Sequence, residues 1–327
     1  MDFIAIGDTT VDEFIKLTEA KVSCKIDTQE CTIAMKWGDK IPYESSLLVP
    51  GVGNAANAAV GAARLGLSSG FLSHIGKDNF GDQILATLTQ ESVDTAYVTV
   101  NEHIPTNHHY VLMYEAERTI LVRHEAYPYL IPEGFAAPKW IYLSSLGEHT
   151  EAFHTALATW LHTHPETKLA FQPGTFQIKM GREKLKELYA LTEIFACNKE
   201  EAGIILETDE TDIRTLLTRM HSLGPKIVLM TDGRNGAYAF DGTQMLKVPM
   251  YPDKNPPISR TGAGDATSTT FVVARALGKS LEEALLWGPV NASAVVQEIG
   301  AQKGLLTRDA LLQALKDAPS TYRVESL

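Results

Sequence analysis

The sequence predicts an α/β fold, a mostly parallel sheet covered by helices on both faces. Two observations predict it. Short apolar runs alternate with helical patterns along most of the 327 residues, and several of those runs are apolar throughout, as strands buried on both faces are. A composition of 44% hydrophobic and 21% charged residues is that of a globular chain with ample length for a core.

In chain order, Phe3 to Gly7 is an apolar run that ends in glycine and delivers Asp8 and Asp12 at its C-terminal end, where open α/β sheets bind ligands. From Val22 the period becomes two, with Val22, Cys24 and Ile26 on one arm and Cys31, Ile33 and Met35 on the returning arm. This predicts an exposed hairpin. A hairpin cannot bury its apolar face alone, so it is expected to fold over something as a lid or to clasp a second copy of the chain. Gly51-Val52-Gly53-Asn54-Ala55-Ala56-Asn57 then opens an alanine-rich helix that stops near Gly66. Further strands are predicted at 70–75, 109–114, 119–123, 140–143, 168–172, 194–197, 227–231, 237–240 and 245–248. Helices are predicted at 80–91, 151–162, 182–190 and 200–205, and from about Asp265, Leu281 and Arg308. Only residues 115–118 join the 109–114 and 119–123 runs, so this pair is expected to be antiparallel and to join the lid.

Lys plus Arg number 29 against 40 Asp plus Glu, a net charge of −11, which disfavours nucleic acid and anionic membranes as partners. A small anionic substrate is still allowed, because helix dipoles and a few basic side chains can bind one. Three cysteines without C-x-x-C spacing indicate neither a disulfide scaffold nor a zinc ribbon and fit a reducing compartment. The N-terminus lacks a basic leader, and no stretch supplies about 18 uninterrupted apolar residues. A cytoplasmic protein is expected.

Gly262 and Gly264, in Thr261-Gly262-Ala263-Gly264-Asp265, let backbone N–H groups turn toward an anion at the positive end of the helix that follows. Asp265 in the same first turn can take a proton from a hydroxyl held beside a phosphate, or can simply cap the helix. The other glycine-rich turn, Gly51 to Ala56, also fits the dinucleotide fingerprint G-x-G-x-x-A. However, the next strand ends at His74-Ile75-Gly76 without the acid that would hold a ribose. No G-x-x-x-x-G-K-[ST] sequence is present.

Taken together, these motifs resemble the ribokinase-like (PfkB) carbohydrate kinases. Thr261 to Asp265 resembles their C-terminal signature, and Pro50 to Ala59 followed by Ala63-Arg64-Leu65-Gly66 their N-terminal one. Between them Gly76 to Gly81 resembles the family's G-x-D-x-x-G turn, Asn198-Lys199-Glu200-Glu201 its N-x-x-E motif, and Thr231-Asp232-Gly233-Arg234-Asn235-Gly236 its nucleotide loop. The resemblance implies one three-layer α/β/α domain over 1–327, with a small β lid from about 18–48 and 105–125 inserted in it. It implies an ATP-dependent kinase acting on the hydroxymethyl group of a sugar, with Asp265 as base and Gly262, Ala263 and Gly264 as an anion hole. A nucleoside kinase, a sugar-phosphate kinase and a catalytically silent regulator are the alternatives.

By the same resemblance Asp8, Asp12, Gly51, Gly53, Asn57 and Glu148 contact the acceptor. Asn198, Thr231, Gly233, Gly236 and Asn291 contact the nucleotide. Glu201 holds Mg²⁺ through water, and backbone oxygens near Ser259 and Thr261 form a candidate K⁺ site. Asn198 and Glu201 equally suit a capped helix start. His108, His109, Arg118, Arg123 and His124 form a basic cluster that either receives a sugar phosphate or is a solvated strand face. Three positions depart from the family pattern: Val52 separates Gly51 from Gly53, Thr267 stands where many members have Phe, and Phe171-Gln172-Pro173-Gly174 lacks the usual D-x-N before its proline.

Overall fold

The computed structural model describes residues 1–24, 31–114 and 117–327. Residues 25–30 of the expected hairpin, Ile26 among them, and Glu115-Ala116 lie outside the described residues. The first half contains β1 (Phe3–Ile6), β2 (Thr10–Leu17), β3 (Lys21–Cys24), β4 (Cys31–Ala34), β5 (Tyr43–Val52), α1 (Asn54–Arg64), β6 (Ser69–Gly76), α2 (Asn79–Gln90), β7 (Val93–Asn101), β8 (His108–Tyr114) and β9 (Glu117–Leu121). There follow β10 (Trp140–Leu143), α3 (Glu151–Thr163), β11 (Lys168–Phe171), α4 (Thr175–Met180), α5 (Lys186–Leu191), β12 (Thr192–Asn198), α6 (Lys199–Leu206) and α7 (Ile213–His221). The chain closes with β13 (Ile227–Thr231), β14 (Ala237–Phe240), β15 (Met245–Val248), α8 (Ala263–Ala276), α9 (Leu281–Val295), α10 (Arg308–Lys316) and β16 (Glu325–Ser326).

The large sheet runs β16-β15-β14-β13-β12-β11-β10-β1-β6-β7, parallel from β7 through β13 and antiparallel beyond. The period of two divides its side chains between two cores. Phe3, Ala5, Trp140 and Tyr142 point into one core with α1, α2, α8, α9 and α10. Ile4, Ile6, Ile141 and Leu143 point into the other, with α3, α5, α6 and α7. The expected α/β fold with helices on both faces is therefore present.

A second sheet, β5-β2-β8-β9, stands apart from the first, and β3 and β4 form a two-stranded ladder of their own. Asp12 thus lies on β2 of the small sheet, not at the end of β1. The hairpin predicted from Val22 is a separate ladder, and the small sheet is built from 10–17 and 43–52 together with the two strands expected at 109–123. Strand β7 and helices α4 and α7 were not predicted. β7 is a half-exposed edge strand in which Asp and Thr interrupt the apolar residues, and α7 buries only Leu216, Leu217 and Met220 on a polar helix. Cys31, on the returning arm of that hairpin, is exposed and disulfide-bonded, which the cysteine spacing did not indicate.

Helix α1 owes its close approach to α8 to alanine and glycine. Ala55, Ala56, Ala58, Ala59 and Ala62 are fully buried, and a Cβ on Gly61 would come within 3.1 Å of Thr269 Cγ2. That approach brings the first turns of two helices distant in sequence together above the C-terminal ends of the parallel strands.

Candidate active site

The site forms where β1, β10, β11, β12 and β13 end, the position at which open parallel sheets bind ligands. Residues just beyond or at those ends, Asp8, Ser145, Gln172, Asn198 and Thr231, line a cavity of about 640 Å³. A smaller cavity of about 440 Å³ lies beside it. Thr231, Arg260 and Gly264 border both, so the N-terminus of α8 stands between two adjoining spaces.

Gly262 caps α8 with φ of 82°, and a Cβ there would collide with Ala301, so glycine is required. The turn leaves Asp265 half-buried on the wall of the larger cavity only. Both of its oxygens are held by neutral amides: Asn57 Nδ2 donates to Oδ2 at 2.8 Å, and Gln172 Nε2 donates to Oδ1 at 3.0 Å. Those amides are themselves oriented. The Tyr142 hydroxyl donates to Gln172 Oε1, and Gln302 Nε2 donates to Asn57 Oδ1 at 3.1 Å and to the Gly51 carbonyl at 2.7 Å. Burial pushes the Asp265 carboxyl above the usual range, and the Asn57 and Gln172 hydrogen bonds oppose that rise.

Asp8 is 4% exposed, and its Oδ1 accepts from the Tyr129 hydroxyl at 2.7 Å. His124 Nδ1 lies 3.3 Å from Asp8 Oδ2, and His109 Nδ1 lies 3.3 Å from Asp12 Oδ1, with the two imidazoles 5.1 Å apart. Neither approach is aligned as a hydrogen bond. Asp8 Oδ2, Asp12 Oδ1, His109 Nε2 and His124 Nδ1 are buried atoms without a hydrogen-bond partner. Gly53, with φ of 107°, caps α1, and a Cβ on it would stand 3.0 Å from the Asp8 carbonyl oxygen.

Asn198 and Glu201 form a capping box at α6: Glu201 N donates to Asn198 Oδ1 at 2.7 Å and Asn198 N donates to Glu201 Oε2 at 2.9 Å. Both residues also line the larger cavity. Burial raises the Glu201 carboxyl, with the Asp265 charge adding to the rise, so a cation nearby would relieve it. Among the described residues no group of three or more His, Cys, Asp or Glu could enclose a metal ion. The donor set therefore suits a cation that keeps most of its water, as magnesium does. Ser259 Oγ donates to Thr261 Oγ1 at 3.0 Å.

The structure gathers Asp8, Asp12, Gly53, Asn57, Asn198, Glu201, Thr261, Gly262, Gly264 and Asp265 around the larger cavity. Thr231, Gly233, Gly236 and Ala263 line the smaller one. Four expected residues are placed otherwise, the first being Ser259, which lines neither cavity. Gly51 lines neither cavity, and its carbonyl accepts from Gln302 Nε2. Glu148 is exposed and lines neither cavity. Asn291 is fully buried, donating to Thr270 Oγ1 at 2.8 Å and accepting from Leu306 N at 2.8 Å, so it ties α9 to α8 instead of facing a cavity. Its neighbours Pro289, Ala292, Ser293 and Val296 line the smaller cavity. Gln172, Gln302, Tyr142 and Tyr129 were not among the expected site residues, although Gln172 had stood out as a departure before Pro173.

Two adjoining cavities, a helix N-terminus between them and a carboxylate facing one of them are the parts of an enzyme that moves a group between two bound molecules. The model of the pfkB family carbohydrate kinase matches residues 38–308, and the chain belongs to that family. It is accordingly a kinase that transfers a phosphoryl group to a sugar hydroxyl. It is 28% identical over 287 residues to ribokinase of Bacillus subtilis, a match covering 86% of this chain and 92% of the relative. It is 32% identical to a fructokinase of Klebsiella pneumoniae over 67% of this chain and 75% of the relative. Arabidopsis thaliana ribokinase, solved with ribose and ATP, superposes with a TM-score of 0.80 at 22% identity over 96% of this chain and 98% of its own. Its fold is thus shared. Among the described residues no helix is long and apolar enough to cross a membrane.

Proposed function

We propose that this kinase transfers the γ-phosphoryl group of ATP to a hydroxymethyl group of a sugar bound in the larger cavity, with Asp265 as general base. One observation carries the reading: Asp265 lines the larger cavity alone, while Gly264, one residue before it, borders both. The Asp265 carboxylate takes the acceptor hydroxyl's proton as that oxygen bonds to phosphorus, and the bond from phosphorus to ADP breaks. Burial makes Asp265 a stronger base than a free carboxylate, and Asn57 and Gln172 fix both of its oxygens in place. The Gly262, Ala263 and Gly264 amides at the start of α8 stabilise charge on the γ-phosphoryl oxygens.

Glu201 and Asn198 are the residues that would hold magnesium, through its water shell; when bound, it neutralises charge on the donor phosphates. Backbone oxygens near Ser259 and Thr261 would hold K⁺. Asp8, Asp12 and Asn57 receive the acceptor's hydroxyls, because a carboxylate and an amide supply the acceptors and donors a polyol needs. Thr231, Gly233 and Gly236 approach the nucleotide. The small sheet, with the ladder of β3 and β4, acts as the lid of a single domain, and exposed Val22, Met35 and Trp37 make the ladder a contact for a second copy.

The test is ADP release from ATP, Mg²⁺ and K⁺ across pentoses, hexoses, sugar phosphates and nucleosides, with sedimentation of the same preparation. Turnover that depends on a sugar acceptor is expected, in a particle of twice the chain's mass. Silence with every acceptor would overturn the kinase reading, and a monomer mass would remove the clasp.

A further inference from the structure

Outside the cavities, two buried polar side chains face each other between α3 and α4. His154 on α3 is 2% exposed and Gln177 on α4 is 0% exposed. Their partners define one arrangement of protons. The Thr150 carbonyl can only accept, so His154 Nδ1, 2.6 Å away, carries the hydrogen. Gln177 Oε1 accepts from Gly174 N at 2.7 Å, which turns Gln177 Nε2 toward His154 Nε2 at 2.9 Å. An amide nitrogen can only donate, so the imidazole is neutral and offers its Nε2 lone pair. Burial holds His154 below the usual histidine range, against the Thr150 hydrogen bond and the Glu151 charge, which fits that state.

The pair holds the turn between β11 and α4. That turn has little freedom, since a Cβ on Gly174 would collide with Ser145. Ser145 lines the larger cavity, and its carbonyl accepts from Asp8 N at 2.8 Å. Two residues before Gly174, Gln172 donates to Asp265 Oδ1, while its own carbonyl accepts from Ser144 Oγ at 2.8 Å. Just after Gly174, Thr175, Phe176 and Lys179 line the larger cavity, and none of residues 172–179 lines the smaller one. Two apolar side chains could fill the space between α3 and α4, but they would not fix a direction. A fully satisfied buried polar network does.

We propose that His154 and Gln177 are positioning residues for the kinase reaction: through the Gly174 N–H they set where Gln172 meets Asp265 and where the α4 wall meets the acceptor. This rests on the reading above, in which the larger cavity is the acceptor's and Asp265 is the base.

The test measures kcat, acceptor KM and ATP KM for the wild-type chain, Gln177→Met, His154→Asn and His154→Gln. Asparagine keeps a donor near the place of Nδ1 and lacks the acceptor at Nε2, whereas glutamine reaches the place of Nε2 with an acceptor and lacks the donor. In Gln177→Met and His154→Asn, kcat/KM for the acceptor should fall about tenfold or more, while ATP KM stays within about threefold of wild type. His154→Gln should stay within about threefold of wild type on every parameter. A role confined to holding the start of α3 would reverse the order of the two His154 variants, and a general loosening of the fold would raise ATP KM as much as acceptor KM. Either result, or near wild-type activity in Gln177→Met and His154→Asn, would overturn the inference. Thermal unfolding checks each variant, and Gln177→Met, the closest in shape, carries the test if His154→Asn does not fold. If the wild-type chain turns over no acceptor, the kinase reading fails, and crystal structures of the wild-type and Gln177→Met chains decide the positioning separately. A Gln172 amide moved off Asp265 in the variant upholds it, and an unmoved one overturns it.

Discussion

The N-terminus of α8 and the small-sheet side of the same cavity are built in opposite ways. At α8 every functional oxygen has a protein partner: Asp265 accepts from Asn57 and Gln172, and those amides are held in turn by Gln302 and Tyr142. On the other side, Asp8 Oδ2, Asp12 Oδ1, His109 Nε2 and His124 Nδ1 are buried without hydrogen-bond partners. Away from the cavity, His108 Nε2 and Thr269 Oγ1 are the only other such atoms among the described residues. Buried polar groups are normally satisfied, and an orphan costs on the order of 1–3 kcal/mol. On the proposed function, the contrast means that the fold fixes the chemistry in advance and leaves recognition to be completed by the acceptor.

The largest expected effect tests the preformed half. Asp265→Asn keeps the shape and removes the base, so kcat should fall by about 10²–10⁴-fold while acceptor KM changes little. A kcat within about tenfold of wild type would show that proton removal does not pass through this carboxylate.

The unfinished half should respond in KM instead. Asp8→Asn keeps an oxygen for the Tyr129 hydroxyl but weakens the atom that has no partner, Oδ2. A hydrogen bond to a charged group contributes about 1.5–3 kcal/mol, so acceptor KM should rise roughly 10–100-fold. If kcat alone fell, Asp8 would belong with Asp265 and the comparison would collapse.

What was legible in the sequence follows the same division. The helix cap and the proposed base are contiguous, Thr261 to Asp265, so local spacing was enough to single them out. The parallel sheet was legible because its strands are apolar throughout, as in β1 and β10. The groups that orient the base come from far away: Gln172 lies 93 positions from Asp265, and Gln302 lies 245 from Asn57. No periodicity or motif predicts such meetings, because they depend on how closely α1 packs on α8. Asn291 misled for a related reason. Helix α9 is apolar on nearly every side, so its pattern does not show which face looks toward the nucleotide. The lid strands were legible only in part, since β2 is half-polar and β5 is exposed over most of its length.

The smallest effect expected comes from the scaffold of the base and is best seen against pH. Gln172→Leu removes the donor at 3.0 Å from Asp265 Oδ1 and leaves Asn57 in place. That hydrogen bond favours the charged carboxylate, so its loss should raise the Asp265 pKa further above the usual range. The base works deprotonated, so activity is lost as pH falls through that pKa. The acid limb of the kcat profile should therefore move to higher pH in the variant. A net hydrogen bond of about 1 kcal/mol corresponds to somewhat under one pH unit, with kcat a few-fold lower on the acid side and nearly recovered on the alkaline side. A purely structural role would lower kcat equally at every pH. A limb that stays in place while the whole profile drops would show that Gln172 serves packing alone, and that the α8 end is less completely preformed than its hydrogen bonds indicate.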